Sequence, residues 1–413
     1  MKTILVPLIL LGAHQFATAA DWPQWRGPAR DGHAAGQLTA LPKELKPVWK
    51  ISAGPGHSSP VLAGGKLIYL DEQDKKETVH LLDAATGTEI WRTPFADAAG
   101  DEWGSGPRST PFVDGDRLYA QSCKGEFRCL NLADGKIIWE TSFAKNYGVK
   151  FVGNKALEGT AARRGNSGCG LVDGARVYLP VGSVVGAGIV CFDKLTGKEI
   201  WKSLNDEAAY SSFMVGTLAG TRQLVALTAE ALVGLELGDG KMLWRVPFKT
   251  GAKRHAASPV IIGDVVTANS QTIGLVGTRI SRDGAGFKAV EAWANQSLKI
   301  NLATPVLVGR HLYSQGVNKD YVCVDATTGA LQWSQPGLGR GNKDYASTIA
   351  LGKNLLVLFE SGELVLLAAD PSKYTELGRL QVCGSTWSHP AFADGKLYGR
   401  DGRELLCLDL GVK

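Results

Sequence analysis

The sequence predicts an all-β fold, an eight-bladed β-propeller of four-stranded antiparallel blades. Three observations predict it. First, seven of the eleven tryptophans, Trp49, Trp91, Trp139, Trp201, Trp244, Trp293 and Trp333, stand 42, 48, 62, 43, 49 and 40 residues apart, the period of propeller blades or solenoid units. Second, five of them close one nine-residue phrase, Asp-x-x-Thr-Gly-x-x-x-Trp or a near copy: Asp83 to Trp91, Asn131 to Trp139, Asp193 to Trp201, Glu236 to Trp244 and Asp325 to Trp333. Third, each unit reads as four short apolar runs broken by turn residues. Pro60–Leu62, Lys66–Leu70, Val79–Leu82 and Ile90–Trp91 form one such set, and strands with tight turns, not helices, have this pattern.

Along the 413 residues, the first element is not part of the wheel. Residues 1–20 carry Lys2, an apolar stretch from Ile4 to Leu11 and small residues at Ala17, Ala19 and Ala20, the pattern of a cleaved secretory signal peptide. A periplasmic or secreted protein is expected, with residues 21–413 as a single propeller domain. No later stretch reaches the length of apolar chain that a membrane helix needs, so no transmembrane segment is expected. The net charge of +5 comes without a run of basic residues, which argues against a nucleic-acid partner.

The blades follow in order. Inner strands open at Ser59-Pro60, Thr110-Pro111, Ser258-Pro259, Thr304-Pro305 and His389-Pro390, with diverged openings near Ser167, Ser212 and Ser347. That makes eight. Eight outer strands result if Leu377 takes the place of a missing tryptophan. The last unit, Ser388 to Leu410, has only three strands of its own, so Lys46–Ile51 must supply the fourth and close the ring, which leaves no exposed sheet edge. Within each phrase the glycine makes the turn between third and fourth strands. The tryptophan that follows buries on the order of 150–250 Å² against the next blade. The seven tryptophans are thus read as scaffold.

Cys129, Cys191, Cys323 and Cys407 recur two residues before the phrase, in a slot that also takes Leu81 and Gly234, and are read as buried packing positions. Cys123 faces Cys129 across Lys124-Gly125-Glu126. That spacing allows a cross-strand disulfide in an exported protein, or two free thiols.

The phrase, its period and the count of eight resemble the pyrroloquinoline-quinone (PQQ)-type propeller repeat. That group holds quinoprotein dehydrogenases, an outer-membrane assembly propeller lipoprotein and many exported bacterial proteins without an assigned role. The last are the most similar, at Asp21–Gly32, Gly104–Pro111 and Arg400–Leu410. The resemblance implies two further readings: a PQQ- and calcium-dependent oxidoreductase acting on an alcohol or sugar, and an envelope assembly scaffold. Fold alone does not choose between them.

Residues just before each inner strand converge on the channel mouth. The expected ligand-binding set is His57, Trp103, Arg108, Arg164, Asn166, Arg254, His255, Tyr345 and Trp387. Trp103 and Trp387 fall outside the repeat, in crossing loops, and arginine forks with aromatic faces suit an anionic or sugar-like small molecule. Neither an adjacent cysteine pair nor a Cys-x-x-Cys-His site is present, and no metal-ligand spacing occurs. Asp101-Glu102 beside Trp103 is the best calcium or catalytic candidate, and is read first as a surface acidic pair. The leading expectation is a monomeric, non-catalytic propeller that binds a small molecule or an envelope protein partner at its channel face.

Overall fold

The computed structural model describes residues 21–149, 165–251, 253, 255–339, 341 and 344–412. Eight four-stranded antiparallel blades form an eight-bladed β-propeller. Blade 1 comprises Val61–Ala63, Lys66–Gln73, Lys76–Asp83 and Glu89–Asp97, and the later blades repeat this order from the channel outward. Among the described residues one helix stands out, Phe143–Tyr147, capped by Ser142 and Gly148.

Closure follows the expectation. Pro47–Ser52 pairs antiparallel with Glu404–Asp409, putting Trp49 opposite Cys407, so the chain ends are joined by a shared sheet. Each phrase turn is held by its first residue: Asp83 Oδ1 accepts from the backbone N–H groups of Ala85 and Thr86 at 3.0 Å. The ring of the preceding tryptophan then lies on the glycine. At Gly87, with φ of +72°, a Cβ would stand 2.7 Å from the Trp49 ring, so glycine is required both for the turn and for the contact. The Trp49 Nε1–H donates to Ala84 O at 2.9 Å. The same bond to the next blade recurs at Trp91, Trp139, Trp201 and Trp333.

Two positions depart from the expected repeat. Blade 5 has a long outer hairpin, Gly274–Asp283 with Gly286–Asn295, in place of the phrase turn. Trp244 therefore bonds Gln223 of its own blade instead of a carbonyl of the next one. The second departure is in blade 7. In each outer strand a β-bulge precedes the tryptophan, as where Cys129 faces Trp139 but Leu130 faces Ile137. In blade 7 Leu366 faces Gly378 and Leu367 faces Glu376. Gly378, not Leu377, thus holds the tryptophan register, and Leu377 is the exposed bulge residue. Leu41, from the segment before Trp49, packs where the missing ring would lie.

That segment also enters the bore. Asp21 Oδ1 accepts from Gly64 N at the lower face, Trp22 bridges Leu62, and Pro23 O accepts from Val113 N. The chain turns over at Trp25–Arg30 and returns beside blades 6 and 7. Gly32 O accepts from Ala350 N, and His33–Ala34 runs parallel to the inner strand Ala346–Leu351. Contacts to blades 1, 2, 6 and 7 fix it as a plug.

Candidate functional site

Above the plug lies a cavity of about 430 Å³, with Trp25 as its floor. Its wall is the ring of inner-strand openings. These openings are linked by a belt of hydrogen bonds in which each opening's backbone N–H donates to a side chain of the next blade. His389 N donates to Ser59 Oγ at 2.8 Å, Ser59 N to Thr110 Oγ1 at 3.3 Å and Thr110 N to Cys169 Sγ at 3.3 Å. Cys169 N then donates to Ser212 Oγ at 3.1 Å, Ser212 N to Ser258 Oγ at 2.8 Å and Ser258 N to Thr304 Oγ1 at 2.9 Å. Proline follows most of these residues and has no N–H, so the donor must be the residue before it. Among the described residues the belt is interrupted between blades 6 and 8, where His33–Ala34 pairs with the inner strand of blade 7.

The lip of the cavity is aromatic. Trp103 and Trp387 have ring centroids 5.7 Å apart and are tilted by 38°, and His57 stacks on Trp387 at 5.1 Å. Trp103 sits at the tip of a small hairpin, Gly100–Asp101 with Gly104–Ser105, and its carbonyl bonds His57 Nε2 at 3.0 Å. Burial holds His57 at a pKa of about 4, so the ring is neutral at pH 7. Arg108 is clamped by Asp101, with Nη1 to Oδ2 at 3.1 Å and Nη2 to Oδ1 at 2.6 Å. Asp101 is therefore a buried partner, not a surface acid, and its carboxylate offsets the arginine charge at this depth. On the far side, Trp103, Trp387 and His57 border a second cleft of about 350 Å³ that holds Glu360 and Asp401.

Of the nine residues expected at the mouth, His57, Trp103, Arg108, Tyr345 and Trp387 line the cavity together. Two do not. Asn166 is tied to Cys123 O through its backbone N at 2.9 Å and Nδ2 at 3.2 Å, which turns it into the wall and leaves Ser167 facing the cavity. The carbonyl of His255 accepts from Tyr210 N at 3.1 Å, and its ring lies buried against Phe248 at 5.2 Å, with Ala256 facing the cavity in its place. Arg164 and Arg254 lie outside the described residues, as do Arg163, Arg340 and Lys343. Lys253 pairs with Glu207 and Glu230, so the described cations at the mouth are engaged. Cys123 and Cys129 are free thiols, because Cys129 faces Trp139 and Tyr119 within its blade while Cys123 packs on Gly165.

The sequence reading missed the floor. Trp25, in the N-terminal segment and outside the repeat, carries the Arg26 guanidinium 5.4 Å and the Arg30 guanidinium 5.9 Å from its ring centroid. Both arginines are almost fully buried, and desolvation lowers each to a pKa of about 10, so both stay charged at pH 7. Arg26 donates to Asp31 O and Pro305 O, and Arg30 to Gln24 Oε1, Gly170 O and Cys169 O. Among the described residues neither has a carboxylate within salt-bridge reach, Asp31 acting on Arg26 from further away. Their signal in the sequence is the spacing Trp-Arg-x-x-x-Arg next to glycine and proline, which suggests a turn but not its location.

The calcium-and-quinone chemistry implied by the repeat can be set against this lining. Among the described residues no three His, Cys, Asp or Glu side chains are placed to hold a metal ion. Asp101 is spent on Arg108, and Asp344 is the carboxylate left on the cavity wall. Calcium takes six to eight oxygen ligands, which this donor set does not offer.

Comparison with known proteins agrees with the fold. A family model described as "Outer membrane protein assembly factor BamB" matches residues 75–335. No curated protein matches the chain. Among solved structures it is similar to BamB from Moraxella catarrhalis, at 13% identity and a TM-score of 0.58, covering 89% of this chain and 100% of that one. It is also similar to the quinohemoprotein alcohol dehydrogenase ADHIIG from Pseudomonas putida HK5, at 11% identity and a TM-score of 0.64, covering 95% and 81%. A third is the computationally designed protein Ika8, at 12% identity and a TM-score of 0.56, covering 90% and 99%. At such identities the likeness speaks for the fold alone.

Proposed function

The chain belongs to the PQQ-type propeller family described by that assembly factor, and we propose that it is an exported, non-catalytic member that captures a small molecule in its bore. One observation carries this reading. The N-terminal segment lies in the bore beneath the crossing loops, so the cavity has a tryptophan floor and a tryptophan lip. A concave, partly apolar cavity of a few hundred Å³ with a few convergent polar groups is the usual form of a ligand site. A through-channel that threads a polymer has no place for such a floor. The donor set described above gives no support to calcium-dependent redox chemistry.

Three tryptophans line the cavity, so binding reads out directly in their fluorescence. Titration with a panel of sugars, organic acids and quinones is expected to quench or shift the emission of the protein but not of a Trp103→Ala, Trp387→Ala double variant. Reduction of a dye by any panel member with added quinone and calcium would turn the reading to oxidoreductase.

An envelope protein as partner is the second reading. It is favoured by the family's own description and by Val184 and Val185, which stand 55% and 82% exposed at the tip of a turn in blade 3. Capture of envelope proteins by the parent but not by a Val184→Glu, Val185→Glu variant would support it.

A further inference from the structure

The hydrogen-bond belt fixes the polarity of the cavity wall. A hydroxyl has one proton to donate and two lone pairs to accept with. In Ser59, Thr110, Ser212 and Thr304, each of which lines the cavity, a lone pair is taken by the N–H of the neighbouring blade. None of the four donates its own proton to any described residue. The Cys169 thiol, in the same ring, accepts from Thr110 N and likewise donates to none. The wall is therefore a ring of donors waiting for an acceptor. Buried donors are satisfied in nearly all native structures, so an oxygen-rich guest or water must complete this one.

The floor adds a sign. Arg26 and Arg30 are held beneath Trp25 with carbonyls and one amide as partners, and their Nε atoms are buried without any. Asp31 acts on Arg26 only beyond salt-bridge distance; two neighbouring buried cations without a paired carboxylate are costly, and an anion close above them lowers that cost. The imidazoles beside the cavity do not add to the charge, since burial and the nearby arginines keep both His57 and His389 neutral. The lip sets the shape. Trp103 and Trp387 are tilted by 38° and too far from parallel to sandwich a flat ring, whereas a puckered sugar can set its C–H face on one and its edge on the other. Asn301, Ser167, Ser347 and Tyr345, whose hydroxyl is 2.9 Å from Ser347 Oγ, also line the cavity.

From these three features we propose that the cavity is an acidic-monosaccharide site. The carboxylate of a uronate points down into the hydroxyl ring above the two arginines, and its pyranose ring rests on the lip tryptophans. The inference rests on the small-molecule reading above and sharpens it.

Tryptophan fluorescence and calorimetry with matched probes test it: glucuronate and galacturonate against glucose and galactose, with benzoate as a flat acid. At least one uronate is expected to bind ten-fold or more tightly than its neutral sugar and than benzoate. Arg30→Gln should bring the uronate-to-sugar ratio towards one. Cys169→Ser, which puts a better donor in the ring without breaking the belt, should tighten uronate binding several-fold. Neutral sugar bound as well as uronate, or benzoate bound better, overturns the acidic-sugar assignment and leaves the small-molecule reading standing. No binding by any probe at millimolar concentration overturns both. If Arg30→Gln does not fold, the parent protein and Cys169→Ser decide alone.

Discussion

Leu41 fills the space of a tryptophan that Gly378 lacks: a Cβ on Gly378 would stand 3.3 Å from Leu41 Cβ. The wheel is thus completed by a residue more than three hundred positions away in sequence. Leu41→Ala is expected to lower stability by about 1–2 kcal/mol, below the full cost of emptying a core leucine because the side chain is half-buried. Gly378→Trp alone should also destabilise, by overpacking. Combined, the two should cost clearly less than their sum in a double-mutant cycle by chemical denaturation; additive losses would show that the residues do not share the site.

Trp49 stitches the chain ends. It faces Cys407 in the last blade, bonds Ala84 O of the first and covers Gly87. Trp49→Ala should cost about 3–5 kcal/mol, against less than about 0.5 kcal/mol for an exposed position such as Leu195→Ala. Equal effects in a denaturant titration would refute the closure role.

Asp101 and Arg108 hold the lip, with exposures of only 1% and 9% at their side chains. Removing one partner leaves a buried charge without its mate, so Asp101→Ala should cost about 3 kcal/mol. The Trp103 hairpin should loosen with it, seen as a red shift of emission. An unshifted spectrum would separate the ion pair from the lip.

Acid should weaken the protein through its histidines. Burial depresses His57 to about 4 and His389 to about 3, so the folded state binds fewer protons than the unfolded chain, whose imidazoles titrate near 6.5. Their contribution is complete above pH 6.5 and is lost as pH falls towards 4 and 3. His57→Phe should flatten the decline of the melting temperature between pH 6.5 and 4. A decline as steep as the parent's would rule His57 out as its source.

Glu77 works in the opposite sense. Burial raises it to about 8, even though Cys123 N donates to both of its oxygens, at 3.0 and 3.1 Å. The protonated form is favoured by folding, so this contribution is complete below the unfolded pKa of 4.5 and lost as pH rises through 8. Glu77→Gln keeps the acceptor and removes the charge. It should be more stable than the parent at pH 9 and nearly equal at pH 5, by thermal melts; a parallel shift at both would count against it.

The positions at the lip were legible because the propeller repeat tells where each crossing loop ends. Trp103, Arg108, Tyr345 and Trp387 could be placed at the mouth by counting from the neighbouring inner-strand openings. Counting says which loop reaches the bore, not which side of the loop faces it. Asn166 and His255 were therefore misplaced by one residue against Ser167 and Ala256, whose orientation depends on bonds to Cys123 and from Tyr210. Leu377 was misread for a similar reason, since a β-bulge shifts register by one residue without any mark in composition.

The sequence by itself determined the wheel. A turn phrase and a tryptophan repeated at blade spacing set the strand number, the blade count and the need for Lys46–Ile51 to close the last sheet, because these are local periodicities written into the chain. Only the tertiary structure decided what fills the bore. Trp25, Arg26 and Arg30 belong to no repeat, and their place rests on single contacts to carbonyls 279 and 140 residues away. The belt, too, could be seen as serines and threonines, most of them before proline, but its donor polarity arises only when the openings meet around the bore and each side chain is claimed by the N–H of the preceding blade.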